Sequence, residues 1–137
     1  MLPNEITLAV DEDNDGGTTP AVNHDYRRFR EFAGRTTYIH TSGHSAVARN
    51  TLDFYATEAK PAGNFCGVRR SAVKFTVDYE VTGRDGVTTI TSPVIIEMKI
   101  SAPVGVSNAN LVKEKQKMDA IIDLDSVLSP LMELSET

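Results

Sequence analysis

The sequence predicts an α+β fold: an N-terminal β-hairpin, an antiparallel sheet of about five strands and two C-terminal helices. Three observations lead there. From Ile6 to about Pro103 the apolar residues alternate in runs bounded by turn residues, which is the period of half-buried antiparallel strands. Beyond Ser107 the period becomes helical. The 137 residues, 40% hydrophobic and 24% charged, suit one domain with a buried core and not a disordered chain. The expected layout is a single domain over 1–137, with the hairpin in 1–27, the sheet in 35–103 and the helices in 107–135.

Ile6 to Val10 forms the first strand, and the Asp-, Asn- and Gly-rich stretch Asp11 to Gly17 turns the chain back near Thr18. Thr36 to Thr41 is a further strand, ended by Ser42 and Gly43. The next runs from about Arg49 to Ala59, with Leu52, Phe54 and Ala56 on one face and Thr51, Asp53, Tyr55 and Thr57 on the other. Pro61, Gly63 and Gly67 mark a loop. Arg70 to Thr82 then alternates Phe75, Val77, Tyr79 and Val81 against Lys74, Thr76, Asp78 and Glu80. Gly83, Arg84, Asp85 and Gly86 make a hairpin turn in which Asp85 and Gly86 tolerate positive φ. The last strand spans about Thr88 to Ala102, and Pro93 marks a break or an unpaired edge position. Ser107 caps a helix expected to reach about Leu128, and Ser129 and Pro130 start a second. Lys113, Lys115 and Lys117 lie near the start of the first helix, where they do not complement its dipole and are free to serve a partner.

The one cysteine, Cys66, excludes an intrachain disulfide but leaves a symmetric bridge between two copies open. No apolar run approaches ~20 residues, so no membrane span is expected, and Met1 to Glu5 lack the pattern of a signal peptide. The formal charge of −5 argues against a nucleic-acid partner. Its distribution argues differently. Residues 1–25 carry six acids and no base, residues 119–137 five acids and no base, and the middle carries all 14 bases against eight acids. The densest basic run is Arg27, Arg28, Arg30 and Arg35, with Arg49, Arg69, Arg70, Lys74, Arg84 and Lys99 spread along the following strands. A basic sheet of this kind suits a polyanion, or is an ordinary solvated surface.

Motifs for catalysis and cofactors are incomplete. Asp11, Asp13, Asp15 and Gly16 match the first half of an EF-hand calcium loop, but Val22 stands where the bidentate Glu belongs and Pro20 interrupts it. A weak surface calcium site or a polar hairpin turn both account for them. His24, His40 and His44 with Asp25 lack a ligand spacing for zinc. Ser45 beside His44 lacks the second glycine of a nucleophile elbow, Cys66 has no catalytic signature around it, and no glycine-rich phosphate loop is present. No enzyme and no cofactor are expected. What remains is the polar sheet face, Thr51, Asp53, Tyr55, Lys74, Thr76, Asp78, Glu97 and Lys99, whose hydroxyls, lysines and tyrosine suit RNA while its acids oppose phosphate.

Lys74 through Val81, Arg49 through Tyr55 and Ile95 through Pro103, in this order and followed by the helical segment, resemble the coat proteins of single-stranded RNA bacteriophages, the leviviruses. The resemblance spans nearly the whole chain. It implies an intertwined homodimer in which two sheets join edge to edge and each subunit's helices clamp over its partner's sheet. It also implies an icosahedral virion shell assembled in the bacterial cytoplasm, with the Gly83, Arg84, Asp85, Gly86 hairpin near symmetry axes and the polar sheet face turned to genomic RNA. Binding of an RNA hairpin that represses translation is implied as well. By the same resemblance Thr51 and Thr76 fall at adenine-pocket positions and Lys74 at a basic RNA contact. Asp53, Tyr55 and Asp78 depart from the small hydroxyl or basic residues usual at their positions. The alternative reading is a small β-rich calcium- or ligand-binding interaction module.

Overall fold

The computed structural model describes residues 2–12, 20–124, 126 and 130–132. Strands β1 (Glu5–Val10), β2 (Val22–Phe32), β3 (Arg35–His40), β4 (Asn50–Thr57), β5 (Val68–Thr82) and β6 (Thr89–Pro103) form one six-stranded sheet in sequence order, and helix α1 is Asn108–Ile122. The expected five or so strands become six because the N-terminal hairpin is part of the same antiparallel sheet. Two compact units divide the chain: residues 1–58 with 69–101, and residues 59–68 with 102–137.

The core of the first unit lies on one face of the sheet. Tyr38 pairs with Leu52 across β3 and β4, and Leu52 pairs with Phe75 across β4 and β5. Directly opposed residues in an antiparallel pair share a face, so these three form one row. Tyr38 and Leu52 are fully enclosed, Tyr26 is buried beside them, and Ile6, Leu8, Phe54, Val73 and Phe75 pack around. The Tyr38 ring meets Phe54 edge-on at 5.5 Å, and its hydroxyl donates to the carbonyl of Pro3, which pins the start of the chain under the sheet. The apolar faces predicted for β4 and β5 are the observed ones near these residues. Farther out, Tyr79 and Val81 of β5 and Ile90, Val94, Ile95, Ile96 and Ile100 of β6 are exposed.

The second strand differs most from expectation. The hairpin arm predicted to end at residue 27 continues to Phe32, and a β-bulge explains why periodicity hid it. Arg28 stands opposite Tyr38, but Arg30 stands opposite Thr37, so Phe29 is an extra residue in β2. The strand then closes on β3 through Ala33 and Gly34, at φ 50° and 80°, the pair of positive values that a two-residue hairpin turn requires. A side chain at Gly34 would collide with the Ala56 carbonyl at 2.7 Å. At the β5–β6 hairpin only Gly86, at φ 75°, takes the positive φ foreseen for both Asp85 and Gly86. Asp85 acts through its carboxylate instead, accepting from the Val87 and Thr88 amides and the Thr88 hydroxyl, which hold it down at about 2. Pro93 lies inside β6 without interrupting it, and β6 is a terminal strand of the sheet, where the missing N–H costs no ladder bond.

In the second unit the Ser107 hydroxyl accepts from the Asn110 amide, the predicted N-cap of α1. The helix ends at Ile122, six residues before the expected Leu128. Asp119 and Asp123 put negative charge at the end where the helix dipole is already negative, and no base offsets it in the last turn. Val127, Leu128 and Ser129 lie outside the described residues, while Ser126 and Pro130 to Met132 are helical. No residue of α1 is buried. Lys115 pairs with Asp119 at 2.9 Å and Lys117 with Glu114 at 3.2 Å, so both lysines are engaged along the helix itself. Cys66 is exposed in the 59–68 loop.

A histidine chain ties the N-terminal hairpin to β3. The amides of Gly43 and Ser42 donate to His40 Nδ1 at 2.8 and 3.3 Å, which leaves the His40 proton on Nε2. That N–H donates to His24 Nδ1 at 2.9 Å, and His24 Nε2 donates to Glu12 at 2.5 Å. Burial and the neighbouring His24 push the His40 pKa below the usual imidazole range, against a smaller opposing pull from Asp25. A second proton on His40, at Nδ1, would face the Gly43 amide, two donors face to face.

Two outcomes follow from this packing. Leu52→Ala removes an enclosed side chain from the central row and lowers the unfolding free energy by about 3 kcal/mol in chemical denaturation at fixed protein concentration. Because folding depresses the His40 pKa, the unfolded chain takes up its proton first on acidification. The stability that His40 contributes is therefore complete above about pH 6.5 and declines as pH falls towards its lower folded value. Protection of the His24 and Gly43 amides, taken as the intrinsic exchange rate at each pH divided by the observed rate, is expected to fall over that interval, and a flat protection profile contradicts the proton arrangement.

Candidate nucleic-acid interface

The polar face of the sheet is built by the same register that builds the core. With Leu52 inward, Thr51, Asp53 and Tyr55 of β4 point to the other side, and Thr51 stands opposite Thr76 while Asp53 stands opposite Lys74 of β5. The structure thus brings together five of the residues singled out from the sequence. Thr51, Asp53, Lys74 and Thr76 line one cleft of about 260 Å³. Glu97 and Lys99 lie along β6 in a neighbouring depression shared with Tyr55, Arg70 and Lys74. The Gly83 to Gly86 turn lies at the β5–β6 connection and lines neither cleft.

The first cleft has further walls that strand alternation did not single out: Phe29, Arg30, Arg35, Thr37, Ile39, His44, Arg49 and Ile95. Four cations, Arg30, Arg35, Arg49 and Lys74, face one carboxylate there, Asp53. The dense basic run was the available signal for Arg30 and Arg35. Arg28, from the same run, goes to the opposite face, where it donates to the Leu2 carbonyl and pairs with Glu31.

Two acids on this face, Asp53 and Asp78, are each engaged by an arginine. Asp53 is only 3% exposed. Its carboxylate accepts from the Thr37 hydroxyl at 2.6 Å and pairs with Arg35 at 3.2 Å, and this bond holds the Arg35 guanidinium protonated more firmly than usual. The guanidinium lies 4.9 Å from the centre of the Tyr55 ring, a cation–π contact. Asp78 accepts from Arg49 through Nε at 3.1 Å, Nη2 at 3.2 Å and the backbone amide at 2.8 Å. Those bonds hold the Asp78 carboxyl below the usual carboxylate range. Glu97 stands 3.9 Å from Lys99. The expected repulsion of phosphate by Asp53 and Asp78 is therefore offset locally, and each acid fixes an arginine on the face.

The other candidate chemistries do not assemble. His44 Nδ1 accepts from the Asn50 amide and Ser45 bonds Ala48, so the two do not form a nucleophile and base. His24 and His40 meet through the hydrogen-bonded chain described above. Among the described residues no group of three or more His, Cys, Asp or Glu is placed to hold a metal. Of the calcium candidates, Asp13, Asp15 and Gly16 lie outside the described residues.

Asp53→Ala leaves Arg35 and Thr37 without their acceptor. Because Arg35 remains half exposed, the loss is expected at about 1–2 kcal/mol of unfolding free energy, below that of a fully buried pair. Denaturation of this variant beside Arg35→Ala measures it, and a change under a few tenths contradicts a fixing role for the carboxylate.

Neither a protein-family model nor a curated protein matches the sequence. Solved structures do match its fold. The protein of the virus-like particle of bacteriophage AVE019 aligns over 96% of this chain and 94% of its own, with a TM-score of 0.72 and 16% identity. That of bacteriophage NT-214 aligns over 98% and 97%, with a TM-score of 0.67 and 14% identity. The virus-like particle of Beihai levi-like virus 32 gives 81% and 83%, a TM-score of 0.67 and 19% identity. The chain has the levivirus-type coat protein fold.

Proposed function

We propose that this chain is a structural, non-enzymatic coat protein whose dimers assemble into an icosahedral shell around single-stranded RNA. The observation that carries the reading is the near end-to-end fold likeness to proteins solved as virus-like particles. The chain's own surface supports the dimer. Its buried apolar core is Tyr26, Tyr38 and Leu52 alone among the described residues, while β6 is a 15-residue edge strand with exposed isoleucines. A long exposed apolar edge is a template for pairing with another strand. A second copy joined at β6 would continue the sheet, and apolar residues of α1, Leu111, Val112, Met118 and Ile121, would gain a surface to cover. Cys66 stands exposed for a bridge between copies.

The polar face is the proposed RNA side. Lys74 supplies charge to phosphate, Thr51 and Thr76 supply hydroxyls for base edges, and Tyr55 supplies a ring already braced by Arg35. Asp53 and Asp78 act indirectly by holding Arg35 and Arg49, and Glu97 and Lys99 border the neighbouring depression. The turn Gly83, Arg84, Asp85 and Gly86, stiffened by the Asp85 carboxylate, serves contacts between dimers. Repression of translation through an RNA hairpin belongs to the same reading, with the same face as the binding surface.

Expression of the chain by itself, followed by electron microscopy of the lysate, is expected to yield closed shells. Only small species under several salt conditions would refute the assembly. Lys74→Ala and Tyr55→Ala are expected to assemble normally and to bind RNA more weakly, Lys74→Ala also flattening the log–log salt dependence by about one unit. Unchanged affinity and slope in both would move the RNA contact off this part of the sheet.

A further inference from the structure

We infer that Phe32 and Phe29 form a stacking platform for unpaired nucleobases at the β2–β3 end of the cleft. This rests on the RNA-binding reading above and adds residues and a ligand preference to it. The bulge is the source. Strict alternation from Arg28 would set Arg30 and Phe32 on the core face. The extra residue Phe29 reverses the parity, so Arg30 lies opposite Thr37 and Phe32 opposite Arg35, both on the polar face. Arg35 in turn lies opposite Tyr55. The outcome is a row across three strands of ring, guanidinium and ring: Phe32, Arg35, Tyr55.

Neighbouring strands stand about 4.8 Å apart, so the two rings of the row are about 10 Å apart with a cation between them. Phe32 is 77% and Phe29 is 67% exposed, and both border clefts that they share with Arg30 and Arg35. Arg30 and Arg35 border both rings, with Glu31 and Thr37 beside Phe32, so the surroundings of the rings carry more cations than acids. Exposed rings among arginines match a flat, uncharged base carrying a phosphate: the ring stacks on the base and the guanidinium meets the phosphate. Bases in a duplex have both faces occupied, so the platform selects single-stranded segments.

The chain has no tryptophan, so Phe32→Trp places a sole indole in the row. When full-length dimers are reassembled in the presence of a short single-stranded RNA, the indole emission is expected to be quenched, and not when the same sequence is supplied annealed as a duplex. The double variant F29A/F32A is expected to bind the single strand roughly tenfold more weakly with the wild-type salt slope, since stacking and not phosphate contact is lost. Equal single-strand affinity of wild type and F29A/F32A overturns the platform. So does a double variant that falls apart in sedimentation while its released subunits keep wild-type RNA affinity, which assigns both phenylalanines to contacts between copies of the chain. A wild-type protein that binds no RNA refutes the RNA-binding reading itself, an outcome distinct from RNA binding that ignores Phe29 and Phe32.

Discussion

Tyr38, Leu52 and Phe75 lie in one row across three antiparallel strands, and the enclosure of the first two holds the sheet in register. Side chains alternate with a period of two, so a slip of one residue would exchange the faces completely. The polar surface of Thr51, Asp53, Lys74 and Thr76 is the reverse side of that row. Core and cleft are thus one structural decision. The Tyr38 hydroxyl extends it to the chain's beginning through Pro3, and the histidine chain extends it to the N-terminal hairpin.

The charge on the polar face follows from pairing and not from a sum. An acid at Asp53 or Asp78 reads as a penalty for a polyanion when counted by composition. In the folded sheet each is fixed to an arginine across or along the strands, and the fork of hydrogen bonds sets the direction of the guanidinium. Holding a cation in place lowers the entropy it loses when it meets a ligand. The cleft keeps Arg30 and Lys74 in addition, so its balance is positive within a chain whose formal charge is −5.

Much of this was legible in the sequence where one physical rule dominates. Alternation located β4 and β5 and divided them into the observed faces, Ser107 announced the helix start, and the Gly83 to Gly86 turn was placed correctly. The polar residues Thr51, Asp53, Tyr55, Lys74 and Thr76 were named from alternation alone, and the fold brings them onto one face. Arg30, Arg35, Phe29 and Phe32 were visible only as a basic and aromatic run without a face. A bulge breaks period two, and nothing local announces that it will form at Phe29.

The sequence by itself determined the fold class, the two faces of β4 and β5 and the turn that joins β5 to β6, because hydrophobic periodicity and turn chemistry are local properties. The tertiary structure decided which face each residue after the bulge would take, and that Asp53 and Asp78 would hold arginines and not confront a phosphate. Those outcomes depend on cross-strand register, which pairs residues 18 and 29 positions apart. Such pairings are fixed only when the whole sheet closes on its central row.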